Sequence, residues 1–129
     1  MSGLLLDTNI ILPVIDDSMA RLPHAVAEAV AAPDAALHVS VASLWEIAIK
    51  SRLGKLRLKP ALPTLPSLLN GMSIALLRIE EAHVLHALSP EPDTRDPFDR
   101  LLLAQCQVEA MRLVTLDRAL ADHPLAWRA

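Results

Sequence analysis

Tyrosine is missing from the 129 residues, phenylalanine occurs once and tryptophan twice. That scarcity excludes RNA recognition by a platform of aromatic rings stacking successive bases. Cysteine occurs once, at Cys106, so no internal disulfide can form. Its place in an apolar run marks it as a small core residue of a reducing compartment. The three glycines, Gly3, Gly54 and Gly71, stand alone, and no glycine-rich phosphate loop exists. No stretch approaches the ~18 continuous apolar residues of a membrane span. The N-terminus lacks a basic region and Asp7 interrupts its first apolar run. A signal peptide is therefore not expected, and a cytoplasmic location is. The five histidines show no pairing suggestive of a nucleophile triad or dyad. His83 and His86, three apart with no cysteine nearby, are expected on a solvated helix face.

What is present is a chain 53% hydrophobic and 21% charged, enough to bury a core as one domain over residues 1–129. Short apolar strands are expected at Gly3–Leu6, Ala36–Ser40, Ser73–Ile79 and Leu113–Thr115, with an edge strand at Pro124–Trp127. Between them, helices are expected at Ile10–Ile15, Arg21–Ala32, Val41–Leu53, Thr64–Asn70, Glu80–Leu88 and Pro97–Met111, and a short one at Asp117–Ala121. Strands alternating with helices give an α/β fold, a parallel sheet covered on both faces.

In such a sheet, functional sites form outside the C-terminal strand ends, where helix N-termini also lie. Five carboxylates fall there: Asp7, Glu46, Asp96, Asp99 and Asp117. Each has an ordinary alternative. Asp7 and Asp117 can cap helices. Asp96-Pro97 reads as N-cap and first helical residue, and Asp99 then sits favourably in the first turn. Glu46 can close a capping box from Ser43 or pair with Lys50. If its helix starts at Ser40, Glu46 lies about 9 Å along it, and its side chain can lean back to the strand edge. Capping alone does not explain acid at every one of these points, since Ser, Thr and Asn cap as well. A carboxylate ending a buried strand costs several kcal/mol unless compensated, and a hard divalent cation compensates all five together. Hard cations commonly serve phosphate chemistry.

The net charge of −3 disfavours nucleic acid at face value. Its distribution does not. With those five acids set aside, 10 acids face 12 Lys and Arg. From Ile47 to Ile79 there is no acid at all, while Lys50, Arg52, Lys55, Arg57, Lys59 and Arg78 fall in that stretch. A basic strip beside an acidic pit suits a polyanion cut at a metal site, with Lys50, Arg52 and Lys55 as the candidate phosphate contacts.

Leu4-Leu5-Leu6-Asp7-Thr8-Asn9, the run Ser40-Val41-Ala42-Ser43-Leu44-Trp45-Glu46-Ile47-Ala48-Ile49-Lys50, the run Arg95-Asp96-Pro97-Phe98-Asp99-Arg100, and Leu113-Val114-Thr115-Leu116-Asp117 follow one another in an order that resembles PIN-domain nucleases. The likeness spans residue 4 to about 127 and is strongest to VapC-type toxins of bacterial toxin–antitoxin pairs. It implies a three-layer α/β/α PIN domain with a central parallel sheet of four to five strands. It implies an endoribonuclease dependent on Mg²⁺ or Mn²⁺, a homodimer, and inhibition by a VapB-type antitoxin. It carries the catalytic acids to Asp7, Glu46, Asp99 and Asp117, with metal at Asp7, Asp99, Asp117 and Asp96, and supporting hydroxyls at Thr8 and Thr115. One departure is Leu12-Pro13-Val14, where similar toxins often carry Trp. The alternatives are a non-toxin PIN-like nuclease, a metal-dependent phosphatase, and a catalytically silent domain that binds RNA or a partner. A haloacid-dehalogenase pattern would require Asp at the position of Asn9, and a receiver domain would require acids the chain lacks.

Overall fold

In the computed structural model, which describes residues 3–129, four short parallel strands form one sheet. They are β1 (Leu4–Leu6), β2 (Leu37–Ser40), β3 (Ile74–Leu77) and β4 (Arg112–Val114), in spatial order β3-β2-β1-β4. Met1 and Ser2, where the reading of the N-terminus begins, lie outside the described residues.

The helices are α1 (Thr8–Ile15), α2 (His24–Ala31), α3 (Val41–Arg52), α4 (Leu65–Gly71), α5 (Glu81–Leu85), α6 (Pro97–Glu109) and α7 (Arg118–Ala121). Strand alternation sends successive residues to opposite faces, and that period builds two cores. Leu6 and Val114 pack with Ile10, Ile11, Val26, Leu65 and Leu69, from α1, α2 and α4. Leu5 and Leu113 pack with Leu102, Leu103 and Cys106 of α6 and Leu120 of α7. The result is a three-layer α/β/α arrangement with β1 in the interior of the sheet. Cys106 is fully buried, and that burial pushes its thiol up to about 12. It is a core residue with no reactive thiolate near neutral pH.

Four expectations change. The helix expected from Arg21 starts at His24, because Pro23 stands at its N-cap and the residue before a proline is held extended. Pro124–Trp127 does not form a strand. It contributes one parallel bridge, Leu113 to Ala126, because its partner β4 runs only from Arg112 to Val114 and leaves little backbone to pair with. The helix from Glu80 stops at Leu85, since His86 is extended and the chain turns toward Pro90. His83 is not on a solvated face: it is 1% exposed. Its Nδ1 accepts the Glu80 amide at 3.0 Å and its Nε2 meets Glu109 Oε2 at 2.8 Å. The helical spacing of His83 was legible, but which helix face meets α6 was not. Gly54 follows α3 with φ +74°, the left-handed turn that favours glycine after a helix end.

Candidate active site

All parallel strands end at one edge, so the residues following β1 and β4 and the first turns of the crossover helices converge there. All five carboxylates line one cleft of about 250 Å³ at that edge, together with Lys50.

Asp7 links the strands to the cleft. It follows β1 directly and is 5% exposed. Its Oδ1 accepts the Thr8 amide at 2.7 Å, and its Oδ2 accepts Thr115 Oγ1 at 2.7 Å. Burial raises its pKa above the ordinary range, offset by the Thr115 and Thr8 bonds and reinforced by the charges of Glu46 and Asp117. The same Thr115 oxygen accepts the Asp117 amide at 3.0 Å, so one hydroxyl sets two acids. Asp117 also caps α7, its Oδ1 accepting the Ala119 amide at 2.9 Å.

Helix α3 starts at Ser40, whose Oγ accepts the Ala42 amide at 3.0 Å. Ser43 is therefore inside the helix, and Glu46 belongs to no capping box. Its side chain instead reaches back: Thr8 Oγ1 donates to Oε1 at 2.6 Å, and Lys50 Nζ donates to Oε2 at 2.9 Å. The bond from Glu46 raises the lysine's pKa.

Asp96 is the N-cap of α6, its Oδ1 accepting the amides of Phe98 at 2.8 Å and Asp99 at 3.3 Å. Capping is thus a real role of Asp7, Asp96 and Asp117, the N-caps of α1, α6 and α7, and all three line the cleft as well. Asp99 accepts Thr94 Oγ1 at 3.2 Å. Its pKa is raised to about 6, by burial first, then by the charges of Asp96, Asp7 and Asp117. Thr94 also accepts the Asp96 amide at 3.2 Å, a positioning role the sequence reading missed. A hydroxyl two residues before an N-cap Asp was the available signal. Asn9 was missed too; its Oδ1 accepts the Leu116 amide at 3.2 Å and ties α1 to the chain after β4.

Of the candidate basic residues, only Lys50 enters the cleft. Arg52 lines a separate groove on α3, and Lys55 is exposed beyond the helix end. Trp45, one residue before Glu46, is 61% exposed and meets Phe98 edge-to-face at 5.6 Å between centroids.

The donor set consists of carboxylate oxygens, which suits a hard divalent cation and not a thiolate- or imidazole-seeking metal. One oxygen each of Asp96, Asp99 and Asp117 accepts no hydrogen bond among the described residues. Yet among those residues no three acids are drawn together as a finished ligand set. The residues fit such an ion by chemistry and charge, and their side chains would have to close on it.

No curated protein matches the chain in sequence. A solved structure described as "Toxin-antitoxin complex from Klebsiella pneumoniae" has the same fold, with a TM-score of 0.64 over 98% of this chain and 97% of that one. Its sequence is 16% identical, so the likeness is one of fold. The family model described as "PIN domain" matches residues 4–124, which takes in every acid of the cleft. The chain belongs to the PIN-domain family.

Proposed function

We propose that this protein is an endoribonuclease dependent on Mg²⁺ or Mn²⁺, the toxin of a VapBC-type toxin–antitoxin pair. The observation that carries this reading is the gathering of five carboxylates in one cleft at the strand ends, with Asp99 pushed up to about 6 by burial and by its neighbours. Such crowding is unfavourable unless a cation is to be held. Asp7, Asp99 and Asp117 would hold it, with Asp96 beside them and Glu46 completing the set. When bound, the ion polarises a phosphoryl oxygen and lowers the pKa of a water ligand.

The chain's own residues do the rest. Thr115 orients Asp7 and Asp117, and Thr8 orients Glu46. Lys50 neutralises Glu46 at one wall of the cleft and can turn to a substrate phosphate. The acid-free stretch beyond it offers phosphate contacts on the approach. The toxin–antitoxin neighbour supports an antitoxin partner for this chain too, and a homodimer in the cytoplasm belongs to the same reading. Among the described residues no helix is long and apolar enough to cross a membrane.

The test is cleavage of total RNA by purified protein with Mg²⁺ or Mn²⁺. Activity should vanish with EDTA and in Asp7→Asn and Asp99→Asn, and the products should carry 5′-phosphate and 3′-hydroxyl ends. Cleavage that survives EDTA, or 2′,3′-cyclic phosphate ends, would refute the mechanism. Expression should arrest bacterial growth, and a cognate antitoxin should restore it; no arrest from an expressed, folded protein would refute the toxin role.

A further inference from the structure

Two of the chain's three aromatic rings belong to residues that neighbour the cleft's acids in sequence. Trp45 adjoins Glu46 on α3, and Phe98 sits between Asp96 and Asp99 on α6. Their rings meet at an interplanar angle of 68°, so Phe98 braces the indole without stacking on it. Trp45 keeps 61% of its surface in solvent, a costly display for the largest apolar side chain.

The indole forms one wall of a groove of about 460 Å³ between α3 and the segment leading into α4. Leu44, Leu62, Pro63 and Pro66 supply other walls, and among the described residues Arg52 is the one ionisable residue lining it. Trp45 and Arg52 lie seven apart on α3, two helical turns, and so share a face. No acid occurs from Ile47 to Ile79, so the far wall is free of carboxylates as well. An aromatic face, apolar walls and a single guanidinium match a flat ring attached to an anion. The volume is that of a small-ligand site.

We propose that this groove is a subsite for one nucleotide of single-stranded RNA: the base stacks on Trp45 and its phosphate meets Arg52. This rests on the nuclease reading above. The groove would hold a nucleotide flanking the one cut in the cleft, since Glu46 and Lys50 on the neighbouring face of α3 border the cleft. With one exposed indole, the stack takes one base, which agrees with the chain's poverty in aromatics. Stacking tolerates any base, so the subsite fixes the strand's position more than its sequence.

The test uses an Asp7→Asn, Trp127→Phe background, in which RNA is not consumed and Trp45 is the single indole. A fixed RNA oligonucleotide is titrated in Mg²⁺, beside versions with one abasic site moved stepwise along the strand. Indole emission should change on binding the intact strand, and one abasic position should abolish the change. Read by the anisotropy of a dye on the strand's end, which needs no indole, Trp45→Ala should weaken binding of the intact strand about 5- to 150-fold, the range that base–aromatic stacking supplies. Trp45→Phe should restore most of it, and the strand with the critical abasic site should bind all three alike. Equal binding of the intact strand by Trp45→Ala, or the same weakening with every abasic strand, overturns the proposal. So does a Trp45→Ala protein that dissociates from dimer to monomer with its RNA affinity intact, which would make the groove an interface between copies. Cleavage of the same RNA by the unmodified chain, run in parallel, separates the two readings. Cleavage without a Trp45 effect removes the subsite alone, a Trp45 effect without cleavage removes the nuclease, and neither removes both.

Discussion

Replacing Asp99 with Asn should stabilise the protein in the absence of metal. Asp99 lies among the charges of Asp96, Asp7 and Asp117, and its pKa stands at about 6 against 3.8 for an unperturbed aspartate. The folded state therefore binds a proton more readily than the unfolded chain. Stability associated with this group is greatest below the unfolded value and is lost as pH rises from about 4 through about 6. Taken whole, a shift of that size corresponds to about 3 kcal/mol. Asp99 is only partly buried, so solvent screening reduces the expected gain to about 1 kcal/mol. Asn keeps an oxygen that can accept the Thr94 hydroxyl, and it removes the charge. In EDTA at pH 7.5 the variant should melt about 3–4 °C above the parent. At pH 3.5, just below the unfolded value, the parent carboxyl is mostly protonated in both states, and the two should melt within about 1 °C of each other. Mg²⁺ or Mn²⁺ at pH 7.5 should then raise the parent more than the variant. Melting curves at both pH values, with EDTA and with metal, read all of this. A variant less stable than the parent in EDTA would show that Asp99 serves the start of α6. An advantage that persists undiminished at pH 3.5 would show that charge repulsion is not its cause.

Metal-dependent cleavage should decline as pH falls through about 6, because the acids must ionise to hold a cation, and Asp99 ionises there. Thr115→Val removes a hydrogen bond that lowers the Asp7 pKa, so the acidic limb of a kcat/KM profile should move to higher pH; an unmoved limb would remove Thr115 from the site. Charge reversal at Lys50, Arg52 and Lys55 should weaken RNA binding and reduce the log–log salt slope by ~0.7 for each phosphate no longer neutralised, whereas an unchanged slope would make the basic stretch a bystander. Ile47→Ala, a fully buried truncation beside Glu46, should cost about 2–5 kcal/mol in urea unfolding, and a cost under about 1 kcal/mol would mean α3 is not anchored by that side chain.

The sequence by itself determined the layers and the acids. Apolar strands alternating with helical periods admit few arrangements other than a parallel sheet covered on both faces, and that topology takes Asp7, Asp96 and Asp117 to one edge whatever the details of packing. These are local and topological facts, set by hydrogen-bonding geometry and by strand direction. Tertiary structure decided what depends on rotation and reach. Ser40 caps α3, so Glu46 bends back to Thr8, a contact between residues 38 apart in sequence that no local pattern encodes. His83 turns into the protein because α5 packs on α6, although its spacing from His86 suits an exposed face equally well. The last residues make one bridge and no strand, because partner length limits pairing. Trp45 reads like any apolar helix residue in sequence. Only the packing of α3 against α6 and α1, with Phe98 at the ring's edge, leaves its ring in solvent, since burial is set by what the neighbouring elements fail to cover.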